Sequence, residues 1–332
     1  MQSKGKVLVT GGAGFIGTEL VEQLYVKGYE VTILDRNDKP IGLDHVKYIQ
    51  GDLSSPARCV MACAGQDYVI HLAAKARIPE SFINPDEYFD SNVTGTRNIL
   101  TAASAVGVKK FVYAGSSSVY GNNTAPNKPT HKPDPLNYYA MSKLFGEHLC
   151  KQYKIMFGLN YNILRFFTVY SENQPTSLLF GKFAQMVKEG KPVTIHGDGE
   201  FKRDYIHVSD VAKACVASIE SKVKNDTFNV GTGNNISVNA VVDILKQHRP
   251  DLEAINIDKP RGYAPETLAD IGKTKNLLNW SPKIKIEEGL ADITNKLSVG
   301  KNAPGMLNAQ FLVRAFENGG DFSMDAFSKK YA

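Results

Sequence analysis

The start of this 332-residue chain narrows its possible folds more than any other stretch. Val7-Leu8-Val9-Thr10 is a short β-rich run that stops at GGAGFIG, Gly11 to Gly17, with glycines at 11, 14 and 17. An amphipathic pattern follows, with Leu20, Val21, Leu24 and Tyr25 on one side. A strand, a glycine turn and a helix start bring backbone N–H groups and the positive end of a helix dipole to a pyrophosphate. Glycine turns alone prove little, because any tight turn favours glycine. The next run, Val31 to Leu34, adds weight because it ends in Asp35. A carboxylate at that interval accepts from the adenosine ribose hydroxyls. It would also repel a 2′-phosphate, so NAD is expected rather than NADP, although Arg36 stands beside it.

The alternation continues. Val46 to Gln50 predicts a third strand, ending in Gly51-Asp52-Leu53 as an edge for the adenine. Asp67 to Ala74 (DYVIHLAA) predicts a fourth, apolar enough to be buried on both faces of a parallel sheet. Asn92 leads a helical pattern from Val93 to Val106, and Lys110 to Gly115 predicts a fifth strand running into Ser116-Ser117-Ser118. Repeated strand–helix alternation implies an α/β, Rossmann-like doubly wound parallel sheet with its ligand at the carboxyl ends of the strands. The expected cofactor contacts are Gly11, Gly14, Phe15, Ile16, Gly17, Asp35, Asp52, Leu53, Leu72, Ala73, Ala74 and Asn92, together with Tyr139 and Lys143.

Those last two frame Tyr139-Ala-Met-Ser-Lys143. Residues four apart share a helical face, so the ammonium can stabilise the phenolate and lower a pKa of about 10. A tyrosine poised nearer neutrality can take a proton from an alcohol and return it. Composition excludes other classes. The net charge of +5 is spread out and gives no nucleic-acid footprint. Cys59, Cys63, Cys150 and Cys215 lack a metal or disulfide pattern and are expected as buried free thiols. No apolar run is long enough to span a membrane, and the first strand leaves no room for a signal peptide, so a cytoplasmic location is expected.

GGAGFIG, HLAA, SSSVYG at 116 to 121, YAMSK at 139 to 143, LRFFTVY at 164 to 170 and RDYIHVSDV at 203 to 211 occur in that order. Together they resemble the extended short-chain dehydrogenases/reductases of the nucleotide-sugar epimerase and dehydratase group, over roughly residues 5 to 297. The resemblance implies that Ser116 hydrogen-bonds the reacting oxygen and that Tyr139 is the acid/base. Lys143 would hold the nicotinamide ribose and lower the tyrosine's pKa. The family's 4,6-dehydratases carry an Asp-Glu pair after this serine, whereas this chain has Ser117 and Ser118, which cannot do that acid–base work at neutral pH. A 4-epimerase is therefore expected. A dehydratase or reductase, or a non-catalytic dinucleotide-binding scaffold, are the alternatives.

By the same resemblance, the NAD-binding domain spans 1–168 and about 205–232, and a smaller C-terminal α/β domain (169–204 and 233–299) binds a nucleotide sugar, expected to be UDP-linked. Ser117, Ser118 and Thr168 would meet the sugar. Thr194 and His196 would lie along the base, with Arg203 on the diphosphate and Arg261 a second phosphate ligand. The segment RGYAPET is one residue shorter than the family's form, so its register is open. Thr267 falls where the 4-epimerases limit the substituent at sugar carbon 2. Uronic-acid 4-epimerases offer a rival match through the three hydroxyls and Thr168, but Ser171 to Pro175 lacks their arginine. The sugar stays open among UDP-hexoses, N-acetylhexosamines and uronic acids. A homodimer is expected, with no metal, nucleic acid or membrane partner. Residues 300–332 lie past the resemblance, with a candidate helix over Met306 to Phe316 and an unknown role.

Overall fold

The computed structural model describes residues 3–258 and 261–298, leaving aside the side chains of 292 and 294–298. The candidate helix at Met306 to Phe316 lies outside the described residues. Strands β1 (Lys6–Thr10), β2 (Glu30–Asp35), β3 (Lys47–Gln50), β4 (Tyr68–His71), β5 (Lys110–Ser116) and β6 (Tyr161–Phe166) alternate with helices α1 (Phe15–Val26), α2 (Pro56–Cys63), α3 (Ile78–Ile83), α4 (Pro85–Phe89), α5 (Gly95–Ala105) and α6 (Tyr138–Phe157). The chain continues through β7 (Thr168–Tyr170), α7 (Leu179–Lys188), β8 (Val193–His196), β9 (Lys202–Arg203), β10 (Tyr205–His207), α8 (Val208–Glu220) and β11 (Asp226–Val230). It then forms β12 (Ile236–Ser237), α9 (Val238–His248), β13 (Ala254–Ile257), α10 (Gly272–Leu278) and α11 (Ile286–Ser298).

Seven strands form one parallel sheet in the order β11-β6-β5-β4-β1-β2-β3. The order runs outward in both directions from the β1–β4 pair, which leaves a crevice at the carboxyl ends of those two strands. Strand β5 is buried at all seven residues, as expected for a strand covered on both faces. One face packs on α1 and α8 through Leu20, Val21, Leu24, Val211 and Cys215; the other packs on α2, α5 and α6 through Cys59, Ile99, Leu100 and Cys150. All four cysteines are buried and free. A separate apolar cluster unites Tyr170, Phe180, Phe183, Val193, Val241, Leu245, Leu290 and Ile293 in the second half of the chain.

Two elements differ from the expectation for physical reasons. Strand β4 ends at His71 instead of Ala74, so residues 72–74 leave the sheet and turn toward the crevice. The helix predicted from Val93 opens as a π turn over Asp90–Thr94 before α5. Asn92 sits in that wide turn and pairs with the Lys75 backbone, accepting from its N–H at 2.7 Å and donating to its carbonyl at 2.8 Å. His71, from the HLAA run, lies between the Thr10 and Thr96 hydroxyls at 2.6 and 2.9 Å. Burial, aided by the nearby Lys143 charge, drives its pKa down to about 3, so it stays neutral and ties β1, β4 and α5 together. Among the described residues, no helix is long and apolar enough to cross a membrane.

Candidate active site

A cleft of about 980 Å³ opens at the carboxyl ends of the central strands. Its floor begins with the glycine turn. Gly11 has φ +72°, and a Cβ there would stand 2.7 Å from the Ala73 nitrogen. A Cβ at Gly17 would stand 2.2 Å from the Gly11 carbonyl oxygen, so the turn and the first coil of α1 touch backbone to backbone. Helix α1 carries neither a capping side chain nor an acid in its first turn. That leaves a positive helix end facing a cradle too tight for side chains, which fits a pyrophosphate. Asp35 is 7% exposed, accepting from the Ala13 N–H through one oxygen and the Asn37 N–H through the other, each at 3.0 Å. Each oxygen keeps a lone pair for a ribose hydroxyl. The residues present therefore fit a dinucleotide along this side of the cleft.

The opposite wall is α6. Asn137 caps it by accepting from the Ala140 N–H at 2.8 Å, and Gly158 ends it in the left-handed conformation. Between these ends, Tyr139 and Lys143 both face the cleft. Gly146 lets the helix approach β5 closely, since a Cβ there would come within 2.1 Å of the Tyr113 hydroxyl. That hydroxyl donates to the Lys143 carbonyl at 3.2 Å, and the Lys143 ammonium lies 4.7 Å from the Tyr113 ring centroid. Across from α6, β5 ends in Ser116, whose side chain hydrogen-bonds Tyr139. A hydroxyl from β5 and a phenol and an amine from α6 thus line one cleft.

Burial pushes the Tyr139 phenol above its ordinary value, and only the Ser116 hydrogen bond pulls it back. The Lys143 amine is itself driven down to about 8 by burial, opposed by the Glu147 carboxylate. Glu147 is committed to Arg165 in a buried two-pronged pair at 2.8 and 2.7 Å.

Of the expected contacts, Gly11, Gly14, Phe15, Ile16, Gly17, Asp35, Asp52, Leu53, Leu72, Ala73, Ala74, Ser116, Tyr139, Lys143, Thr168, Thr194, His196 and Arg203 all line this cleft. Five others do not. Ser117 and Ser118 enter a single 3₁₀ turn, capped when the Ser116 hydroxyl accepts from the Ser118 N–H at 3.2 Å, and this turns them away. Asn92 is spent on Lys75 and on Ser142, to which it donates at 2.9 Å. Arg261 is exposed and outside the cleft. Thr267 is also outside the lining, its N–H donating to the Lys202 carbonyl at 3.1 Å and its hydroxyl buried without a partner among the described residues. Asp204 positions backbone, accepting from the N–H groups of Thr232, Gly233 and Ala269.

The cleft also includes residues that the sequence did not suggest: Arg77, Gln174, Thr176, Ser177, Lys182 and Tyr263. All but Lys182, which is on α7, stand on connections between elements, where no periodicity marks them. Gln174 is the best anchored, donating to the Val169 carbonyl at 2.8 Å and accepting from the Phe180 N–H at 2.9 Å at the start of α7.

The chain is 35% identical over 311 residues to the UDP-glucuronate 4-epimerase of Thermodesulfobacterium geofontis, covering 88% of this chain and 95% of that one. It is 36% identical over 301 residues to a putative UDP-glucose 4-epimerase of Methanocaldococcus jannaschii, covering 87% and 97%. The solved structure of MoeE5 in complex with UDP-glucuronic acid and NAD superposes with a TM-score of 0.84 at 33% identity, covering 88% and 98%. Residues 7–231, more than half of the chain, match the profile of the NAD dependent epimerase/dehydratase family. The chain therefore belongs to that family, an NAD-dependent enzyme built on a doubly wound parallel sheet.

Proposed function

We propose that this protein is a UDP-sugar 4-epimerase acting on a UDP-hexose, UDP-N-acetylhexosamine or UDP-uronic acid. The observation that carries it is the convergence of Ser116, Tyr139 and Lys143 on the cleft that also holds the glycine cradle and Asp35. The similar proteins, named as UDP-glucuronate and UDP-glucose 4-epimerases, support the same chemistry. So does the absence of a carboxylate at 117 and 118, which dehydration would need beside the serine.

The glycine turn, Asp35 and Lys143 would hold NAD, which would supply a reversible hydride acceptor. The chain's own residues handle the proton. Ser116 donates to and orients the sugar's 4-hydroxyl oxygen, and the Tyr139 phenolate takes that hydroxyl's proton. Lys143 provides the positive charge that holds the phenolate, and Glu147 keeps that amine charged. When the bound 4-keto sugar has turned its other face, Tyr139 returns the proton to the oxygen and the carbon is inverted. The sugar nucleotide is carried by the part of the chain we assign to residues 169–204 and 233–299, through Thr194, His196 and Arg203, with Thr168 at its boundary. The exposed apolar side chains Phe89, Tyr138, Met141 and Phe145 on α4 and α6 support a homodimer through that face.

Incubation with UDP-glucose, UDP-N-acetylglucosamine and UDP-glucuronate, with products assigned by NMR, tests the reaction. A 4-epimer from at least one is expected, whereas a 4-keto-6-deoxy product would reject the assignment. Tyr139→Phe should lower turnover by at least about 10²-fold while the protein still retains NAD, read from absorbance and fluorescence. Wild-type turnover in that variant would exclude the mechanism.

A further inference from the structure

The cleft carries an arginine that neither the spacing of the motifs nor the family likeness suggests. Arg77 precedes α3, and its backbone is held at both ends by one buried side chain. The Tyr88 hydroxyl accepts from the Arg77 N–H at 3.1 Å and donates to its carbonyl at 2.6 Å. The ring of Tyr88 in turn packs edge-on to Tyr139, with centroids 6.5 Å apart. The guanidinium then reaches outward. Its Nη1 pairs with the Glu80 carboxylate at 2.6 Å, and its Nη2 donates to the Ser177 carbonyl at 3.2 Å. Arg77 thus spans from the segment after β4 to the segment before α7, the two lips of the cleft.

Arg203 approaches from the other side. It donates to the backbone carbonyls of Lys202, Ala264 and Pro265 and lies over the Phe201 ring at 5.3 Å. Three of its contacts therefore go to the chain itself, which limits what one fork can offer to two phosphates. Tyr263 lines the cleft within electrostatic reach of both arginines. Burial raises its phenol, and the Arg203 and Arg77 charges oppose that rise. Arg261, the expected second phosphate ligand, stands exposed outside the cleft. A second cation is nevertheless present on the cleft wall, and it comes from a different element.

We propose that Arg77 is the second guanidinium holding the substrate's diphosphate, opposite Arg203, in the place expected of Arg261. The inference rests on the UDP-sugar reading above. The named contacts leave an N–H on each terminal nitrogen of Arg77 for phosphate oxygens, and Glu80 keeps the fork oriented. The same chemistry would also suit a uronate carboxylate, so the test must separate the two anions.

Calorimetric titration of the NAD-loaded protein with UDP, UDP-glucose and UDP-glucuronate does so. Arg77→Gln should weaken all three by a similar factor, about tenfold, or about 1.4 kcal/mol. Arg77→Lys, which keeps the charge but loses the fork, should bind between wild type and Arg77→Gln. Arg261→Gln should change affinity by less than about twofold. Thermal melts of each variant confirm that the protein stays folded. Unchanged UDP affinity in Arg77→Gln overturns the inference alone, and so does a loss confined to UDP-glucuronate, which would reassign Arg77 to the sugar's carboxylate. Failure of the wild type to bind UDP at all would overturn both the inference and the UDP-sugar reading.

Discussion

Lys143 shows at the scale of a single residue how the site is held ready at a cost. It is 4% exposed, and burial brings its pKa down to about 8 from an ordinary value of 10.5. Below pH 8 the folded protein bears the full penalty of a buried ammonium. Between the folded and unfolded pKa values the unfolded chain binds more protons, so this residue's contribution to stability rises with pH across that window. Lys143→Met should therefore be more stable than wild type at pH 7, by roughly 1–3 kcal/mol, while losing turnover. The gain should shrink by pH 10, which urea unfolding at the two pH values would check. A variant less stable than wild type at pH 7 would show that the amine's contacts to Glu147 and Tyr113 outweigh its desolvation. Burial raises the Tyr139 phenol as well, opposed by the Ser116 side chain.

At the scale of elements, the site depends on how α6 is seated. Asn137 sets its start and also donates to the Gly262 carbonyl at 2.9 Å, joining α6 to the loop that carries Tyr263. Farther along, Glu147 fastens the helix to Arg165 on β6, with both side chains buried and the guanidinium 4.8 Å from the Tyr120 ring centroid. Removing one partner leaves a charge without compensation inside the core. Glu147→Gln should therefore cost about 3–5 kcal/mol in chemical denaturation. It should also drop turnover more than simple destabilisation explains, because Lys143 loses the carboxylate that keeps it charged. A variant with wild-type stability would show that the pair is dispensable for seating the helix. The alternation of strands and helices was legible in the sequence because each element's burial pattern repeats locally. The ends of elements were less so. Strand β4 stops at His71, although the apolar run continues to Ala74, because after a last bond from the Leu72 N–H to the Thr10 carbonyl the backbone of Leu72 and Ala73 presses against the glycine turn.

For the whole molecule, the exposed face of α4 and α6 is the feature that points beyond one chain. Tyr138, Met141 and Phe145 are 48%, 43% and 44% exposed at helical spacing, and Phe89 adds a ring 6.1 Å from that of Phe145. Side chains of this size in one stripe favour a self-complementary contact. Phe145→Glu should shift a dimer to monomer in sedimentation without lowering the melting temperature of the monomer fold, and an unchanged sedimentation coefficient would count against this face. The cleft likewise belongs to the whole molecule. Arg77 and Ser177 are 100 residues apart and meet across it, while Gly262 packs beside Asn137 over 125 residues of chain.

What the sequence determined alone was whatever one element encodes by its own spacing. This covers the glycine turn before α1, the carboxylate closing β2, the tyrosine and lysine one turn apart on α6, and the parallel sheet that their order implies. Tertiary structure decided which polar residues reach the cleft. It turned Ser117 and Ser118 away in a 3₁₀ turn, tied Asn92 to Lys75, left Arg261 in solvent, and brought Arg77 and Tyr263 inward. The physical reason is range. Periodicity and capping act within a few residues, whereas a loop side chain's place is fixed by packing partners about a hundred positions away, which no local pattern records.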